Sequence, residues 1–232
     1  MNLDIKKYYS GRVNEKARTD FLWQVGKTVG GQEVPQEQID LIVKAIIGQL
    51  ELSENDMVID IGCGNGLLTK RASEFVREIT GIELTQELYE IALEYNSAKN
   101  TQYINASIFD IDIEQQKSKY SKVYLYEVLQ HLSLIESDKL IEVLKKITKE
   151  EAVIYLGGIL DIEKRWCFFN TNERKYRYFE SVLSGKDPLG TWYYKDFFYY
   201  LGEKHELAIE CHTQDSGLYT SHYRFDCVMR KG

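Results

Sequence analysis

The apolar run Met57–Ile61, interrupted only by Asp60, stops at Gly62, and further glycines follow at Gly64 and Gly66. A short β-branched run of this length reads as a buried strand. Three closely spaced glycines permit a tight turn and let a ligand approach bare backbone. Leu67–Ala72 can then begin a helix. Strand, glycine loop and helix in this order open a doubly wound α/β sheet. The spacing also narrows the ligand. A dinucleotide fingerprint wants its third glycine where Leu67 stands, so that a pyrophosphate can sit on the helix N-terminus. Gly-x-Gly-x-Gly suits a ligand without phosphates whose amino-acid part lies across the turn.

The rest of the chain alternates in the way such a sheet requires. Pro35 marks a helix start, and Ile39, Ile42, Val43, Ile46, Ile47 and Leu50 follow at helical spacing. Strands are expected at 57–61, 78–82, 101–106, 123–126 and 152–156. Helices are expected after the glycine loop to about Phe75, from Thr85 through Tyr95, and over Ile135–Ile147. Strands separated by helices predict parallel pairing with helices on both faces. His205–His212 and Tyr223–Arg230 read as two closing strands. Gly26–Gly31 reads as loop. Residues 161–195 interrupt the alternation.

Bulk properties set outer bounds. The 232 residues carry a net charge of −7, and the pI of about 5.3 gives no global basic field for wrapping nucleic acid. There is no apolar run long enough to span a membrane and no signal-peptide core near the start, so a cytoplasmic location is expected. The four cysteines, Cys63, Cys167, Cys211 and Cys227, form no Cys-x-x-Cys pair and are read as reduced thiols. With only two prolines, long rigid linkers are not expected.

Asp60-Ile61-Gly62-Cys63-Gly64-Asn65-Gly66 closely resembles motif I of the class I S-adenosylmethionine (SAM) methyltransferases. The resemblance covers residues 36–160 well and 196–232 loosely. It implies a seven-stranded, mostly parallel Rossmann-like sheet whose last strand is antiparallel, with SAM as cofactor. It also implies a single domain over 1–232: an N-terminal helical lid (1–34), a SAM-binding core (35–160), an acceptor-site insertion after the fifth strand (161–195) and closing strands (196–232). Asp60, Gly62, Gly64 and Asn65 would form the cofactor loop. Glu83, ending the next strand, would accept hydrogen bonds from both ribose hydroxyls. Leu84 and Ile108 would sandwich the adenine. Ser107 stands where many relatives place an acid toward the adenine amino group; a hydroxyl can still accept there, and Asp110 is the competing candidate.

Tyr126-Glu127-Val128-Leu129-Gln130-His131 resembles a segment common in small-molecule methyltransferases. It would bring Tyr126, Glu127 and His131 to the methyl donor, with His131 as general base and Glu127 beside it. The Asn/Asp-Pro-Pro-Tyr/Phe segment of one large amino-methyltransferase group is absent. Some relatives bind a divalent metal through Glu-x-x-Glu-His; here Gln130 replaces the second acid, so no metal is expected.

Within the insertion, Arg165, Trp166, Arg174, Lys175 and Arg177 combine basic and aromatic side chains, and His222 and Arg224 add more near the end of the chain. Such groups suit a phosphate, a carboxylate or a base, and these seven are the expected acceptor-binding residues. The expected function is SAM-dependent methylation, at oxygen, of a small polar, anionic metabolite that is nucleotide-linked or sugar-like. The alternatives are methylation of RNA or protein, or a SAM-binding subunit without activity. Expected partners are a small-molecule acceptor and, compatibly, a second copy of the chain. A membrane is not expected, and the acidic balance makes nucleic acid an unfavoured partner. A nicotinamide dehydrogenase is disfavoured by Leu67.

Overall fold

The computed structural model describes residues 5–186 and 188–231. In chain order the elements are α1 (Ile5–Glu15), α2 (Phe21–Gln24), β1 (Thr28–Val29), β2 (Gln32–Glu33), α3 (Gln36–Leu50), β3 (Met57–Ile61), α4 (Leu67–Ala72), β4 (Glu78–Glu83), α5 (Gln86–Tyr95) and β5 (Thr101–Asn105). Then come α6 (Ile113–Gln116), β6 (Tyr120–Tyr126), α7 (Leu134–Ile147), β7 (Thr148–Leu160), α8 (Arg165–Phe168), α9 (Asn172–Leu183), α10 (Lys195–His205), β8 (Leu207–Thr213) and β9 (Arg224–Lys231).

Seven strands form one sheet in the order β5-β4-β3-β6-β7-β9-β8. The first five pair in parallel, and β9 runs antiparallel to both β7 and β8. Strand order reverses direction beside β3, between β4 and β6. Ligands of open α/β sheets bind outside the strand carboxyl ends at such a switch point.

The parallel strands read as continuous apolar runs because both faces are covered. Ile59, Ile61, Val123 and Leu125 pack against Leu140, Ile141 and Leu144 of α7 and Phe198 and Leu201 of α10. The alternate residues Val58, Tyr124 and Tyr155 pack against Ile39, Ile42, Ile46 and Leu50 of α3. Each such apolar side chain contributes roughly 1.5–3 kcal/mol by leaving water. Helix α7 starts at a capping box in which Ser133 and Glu136 satisfy each other's backbone N–H groups.

Several boundaries differ from the sequence reading for local reasons. Gly30 and Gly31 both take positive φ (58° and 79°), so the expected loop at 26–31 holds a tight two-residue hairpin between β1 and β2. β6 and β7 begin earlier than expected, because Tyr120 pairs with Thr148 before the register shifts. β8 begins at Leu207 because α10 runs through His205 and ends at Glu206 in the left-handed region. The insertion after β7 carries α8 and the three-turn helix α9. Among the described residues, no helix is long and apolar enough to cross a membrane.

Candidate active site

Gly62, Gly64 and Gly66 all adopt left-handed φ (70°, 58° and 77°), which side chains with a Cβ resist. A Cβ at Gly62 would also stand 2.6 Å from Val128, and one at Gly64 2.8 Å from Val25. The loop is thus pressed between the segment that follows β6 and the N-terminal cap. Asn65 fixes that arrangement: its amide donates to the Phe21 carbonyl at 2.8 Å and to Gln24 Oε1 at 2.9 Å.

Glu83 closes β4 with a buried carboxylate. One oxygen accepts the Gly64 N–H at 2.9 Å and the other the Thr85 N–H at 2.7 Å. Burial holds its carboxyl above the ordinary range despite those bonds. In front of this edge lies a cavity of about 600 Å³, walled by the glycine loop, Glu83, Leu84, Ser107, Ile108, Tyr126, Glu127 and His131. Tyr8, Tyr9, Arg12 and Lys27 of the cap close one side; Phe168, Leu189, Tyr219, Tyr223 and Arg224 close another.

The polar centre of the cavity is an ion pair between Lys27 Nζ and Glu127 Oε2 at 2.8 Å. Glu127 sits at φ 58°, a costly conformation for a non-glycine residue. Room for its side chain comes from Gly158, where a Cβ would stand 2.6 Å from Glu127 Cγ. The pairing of β7 with β9 shifts register between Leu156 and Ile159, which frees the Gly158 peptide groups. Its N–H donates to Asp226 Oδ1 at 2.8 Å, and its carbonyl accepts from Arg224 Nη1. Arg224 Nη2 donates to Gln130 Oε1 at 2.8 Å.

The charges follow from this packing. Burial opposes ionisation of Glu127, but Lys27 and Arg224 outweigh it and hold the carboxyl below its ordinary range. Burial pulls the Lys27 ammonium downward against the attraction of Glu127. His131, bonded through Nε2 to the Tyr9 hydroxyl at 3.1 Å, is lowered from 6.5 to about 4 by burial and then by Arg224. It is therefore neutral near pH 7.

A family model described as ribosomal RNA adenine dimethylase matches residues 38–156, more than half of the chain. The chain belongs to this family. The class I SAM methyltransferase reading of the glycine motif, and its fold, are thereby upheld. Among curated relatives, ribosomal RNA small subunit methyltransferase A of Mycoplasma mycoides subsp. mycoides SC is 32% identical over 79 residues, covering 34% of this chain and 30% of that protein. Ubiquinone biosynthesis O-methyltransferase of Hydrogenovibrio crunogenus is 26% identical over 146 residues, covering 62% of this chain and 54% of that one. The chain thus spans from under a third to about half the length of these relatives. Magnesium protoporphyrin IX methyltransferase of Synechocystis, solved with bound SAM, superposes with a TM-score of 0.59 at 13% identity, covering 99% of this chain and 92% of that one.

These matches correct one expectation. The acidic net charge made nucleic acid an unfavoured partner and a small molecule the expected one; the family model and the ribosomal RNA methyltransferase relatives overturn that partner assignment. Net charge sums the whole surface, whereas an acceptor meets the field of one edge of the sheet, and here that edge presents Lys27, Arg12 and Arg224.

Of the residues expected at the site, Gly62, Gly64, Asn65, Glu83, Leu84, Ser107, Ile108, Tyr126, Glu127, His131 and Arg224 line the cavity. The others are placed elsewhere. Asp60 lies beneath the loop, accepting from Thr69 Oγ1 at 2.6 Å and Tyr124 Oη at 2.7 Å, and so braces β3 against α4 and β6. Arg165 is held by Trp166 and Tyr178, whose rings lie 4.9 and 5.0 Å from its guanidinium. Arg174 donates to the Phe168 carbonyl, and Arg177 pairs with Glu173 one turn away. Lys175 and Trp166 stay on α9 and α8 outside the cavity, and His222 is exposed against Tyr223. Charge counting along a segment could not show which way α9 turns its face.

Sequence reasoning passed over Arg12 and Tyr219. Arg12 had a weak signal in its spacing from Tyr8 and Tyr9, which puts all three on neighbouring turns of one helix. Tyr219 had none, since its loop reaches the cavity only through the β8–β9 pairing.

Proposed function

We propose that this protein transfers the methyl group of SAM to an oxygen of a polar, anionic acceptor. SAM, when bound, supplies a methyl already activated on a sulfonium. The cavity fits it. Its volume lies within the ~300–1,000 Å³ usual for ligand sites. Each Glu83 oxygen accepts one backbone N–H and keeps lone-pair capacity for a ribose hydroxyl. Leu84 and Ile108 offer apolar faces for the adenine, and the bare glycine backbone admits the rest.

The observation that carries the acceptor reading is the Lys27–Glu127–Arg224 cluster in the same cavity as the glycine loop. Two cations face one carboxylate, and His131 adds no charge. The surplus positive field favours an acceptor that is anionic or becomes so on binding. A neutral imidazole with a depressed pKa is a weak base for an ordinary alcohol, so a carboxyl or phenol-type oxygen, already an anion near pH 7, fits better than an aliphatic hydroxyl. The role of the chain's residues is then to orient, to desolvate and to hold the nucleophile in line.

A second reading follows from the family match: the acceptor group belongs to ribosomal RNA. A base turned into the cavity would find Tyr219 and Tyr223 to stack on. Both readings are tested together by S-adenosylhomocysteine release from labelled SAM. The acceptors are small-subunit ribosomal RNA on one arm, and free nucleotides, sugar phosphates and phenolic acids on the other. Transfer to a carboxylate or phenolate oxygen supports the first reading; transfer to a ribosomal RNA base supports the second and refutes the first. Release of S-adenosylhomocysteine with neither arm, but with uncharged alcohols added as a third, would refute both.

A further inference from the structure

Four cationic side chains line the cavity among the described residues: Arg12, Lys27, Lys186 and Arg224. Three are accounted for. Lys27 faces Glu127, Arg224 binds Gly158 and Gln130, and Lys186 is exposed to water. Arg12 is different. Its Nε donates to the Trp23 carbonyl at 2.8 Å, and its plane lies 4.5 Å from the Trp23 ring. These contacts fix the stem and the plane of the guanidinium. The outer fork is left unsatisfied: Nη1 reaches only the Tyr8 hydroxyl at 3.5 Å, and Nη2 is buried without a partner. Among the described residues, no carboxylate pairs with it.

A guanidinium held by its inner nitrogen, with Nη2 unpartnered and Nη1 only at the long limit of a hydrogen bond to Tyr8, is shaped for a bidentate carboxylate. Its support, Trp23, belongs to the same short helix that Asn65 of the glycine loop holds through Phe21 and Gln24. The fork is therefore tied, through two hydrogen-bonded links, to the loop over which the amino-acid part of SAM would lie. SAM carries one carboxylate. Resting on the cofactor reading above, we propose that Arg12 is the receptor for that methionyl carboxylate, so that cofactor binding fastens α1 over the cavity.

The test compares two ligands by calorimetry on the full chain. S-adenosylhomocysteine keeps the carboxylate; 5′-methylthioadenosine keeps the adenine, ribose and thioether but lacks the amino-acid part. Arg12→Gln is expected to weaken S-adenosylhomocysteine by about 10–100-fold, the worth of a charge-assisted hydrogen-bond pair, and to leave methylthioadenosine within about twofold. Arg12→Lys should recover part of the loss. Unchanged S-adenosylhomocysteine affinity would assign Arg12 to the acceptor or to packing and overturn the proposal. An equal loss for both ligands would show that the cap had merely collapsed and would also overturn it. A native chain that binds neither ligand would instead defeat the cofactor reading itself.

Discussion

Lys27 Nζ lies 2.8 Å from Glu127 Oε2, joining the N-terminal cap to the end of a central strand across the cavity. The Lys27 side chain is 6% exposed and that of Glu127 12%, so neither charge is well solvated alone. Lys27→Met should destabilise the protein by about 3 kcal/mol, because it strands a buried carboxylate. The double variant Lys27→Met/Glu127→Gln should lose less than the two single changes combined. Chemical denaturation of all four proteins measures this; strict additivity would mean that the pair is not coupled.

Glu83 holds the glycine loop and faces the cavity with the same carboxylate. Glu83→Ala should reduce S-adenosylhomocysteine affinity by about 10–100-fold, the range for lost hydrogen bonds to a charged group. Glu83→Gln should fall between the two. Calorimetric affinities that do not differ from wild type would remove Glu83 from the ribose site.

Gly158 makes room for Glu127 by lacking a side chain. Gly158→Ala places a Cβ at φ 67° and against Glu127 Cγ, so it should cost about 1–3 kcal/mol. It should also lower turnover by a larger factor than S-adenosylhomocysteine affinity, since the cofactor side of the cavity is untouched. A normal turnover number would show that the position of Glu127 does not matter to the reaction.

His131 and Asp60 give opposite pH signatures. Burial lowers His131 from 6.5 to about 4. Between those values the unfolded chain takes up a proton that the native state refuses, so stability falls as pH drops through the window. Burial raises Asp60 from 3.8 to about 7. There the native state holds the proton more tightly, so its contribution is full below pH 3.8 and is lost as pH rises to about 7. Relative to wild type, His131→Asn should gain stability as pH falls from 6.5 toward 4, and Asp60→Asn should gain it as pH rises from 4 to 7. Denaturation curves at several pH values check both slopes, and a flat difference for either variant would contradict the corresponding burial argument.

His131 also bears on turnover. Because it stays neutral down to about pH 4, it should contribute no titration to kcat between pH 6 and 8. A histidine-like limb near 6.5 that disappears in His131→Asn would show that the imidazole is solvated during the reaction.

The glycine-loop wall of the cavity was largely legible in the sequence. The three glycines, Glu83 and the pair Leu84 and Ile108 sit at strand ends, where local spacing fixes which edge they occupy. The residues expected on the insertion were less so. Arg165, Arg174 and Arg177 looked like ligands for an anion by composition, yet on α8 and α9 they are turned toward Tyr178, Phe168 and Glu173. Asp60 looked like part of the loop and proved to be its footing. In both cases the side chain's direction was not legible, because direction depends on packing between distant segments.

By itself the sequence determined the alternation of strands and helices from α3 to β7, the glycine turn after β3 and the acid that closes β4, because each follows from residues near one another along the chain. Only the tertiary structure decided that Lys27 would meet Glu127, that Arg224 would reach Gly158, and that Arg12 would hold an open fork over the cavity. Those contacts join segments far apart in the chain, and their partners are chosen by strand order and by the docking of the cap, which no local pattern encodes.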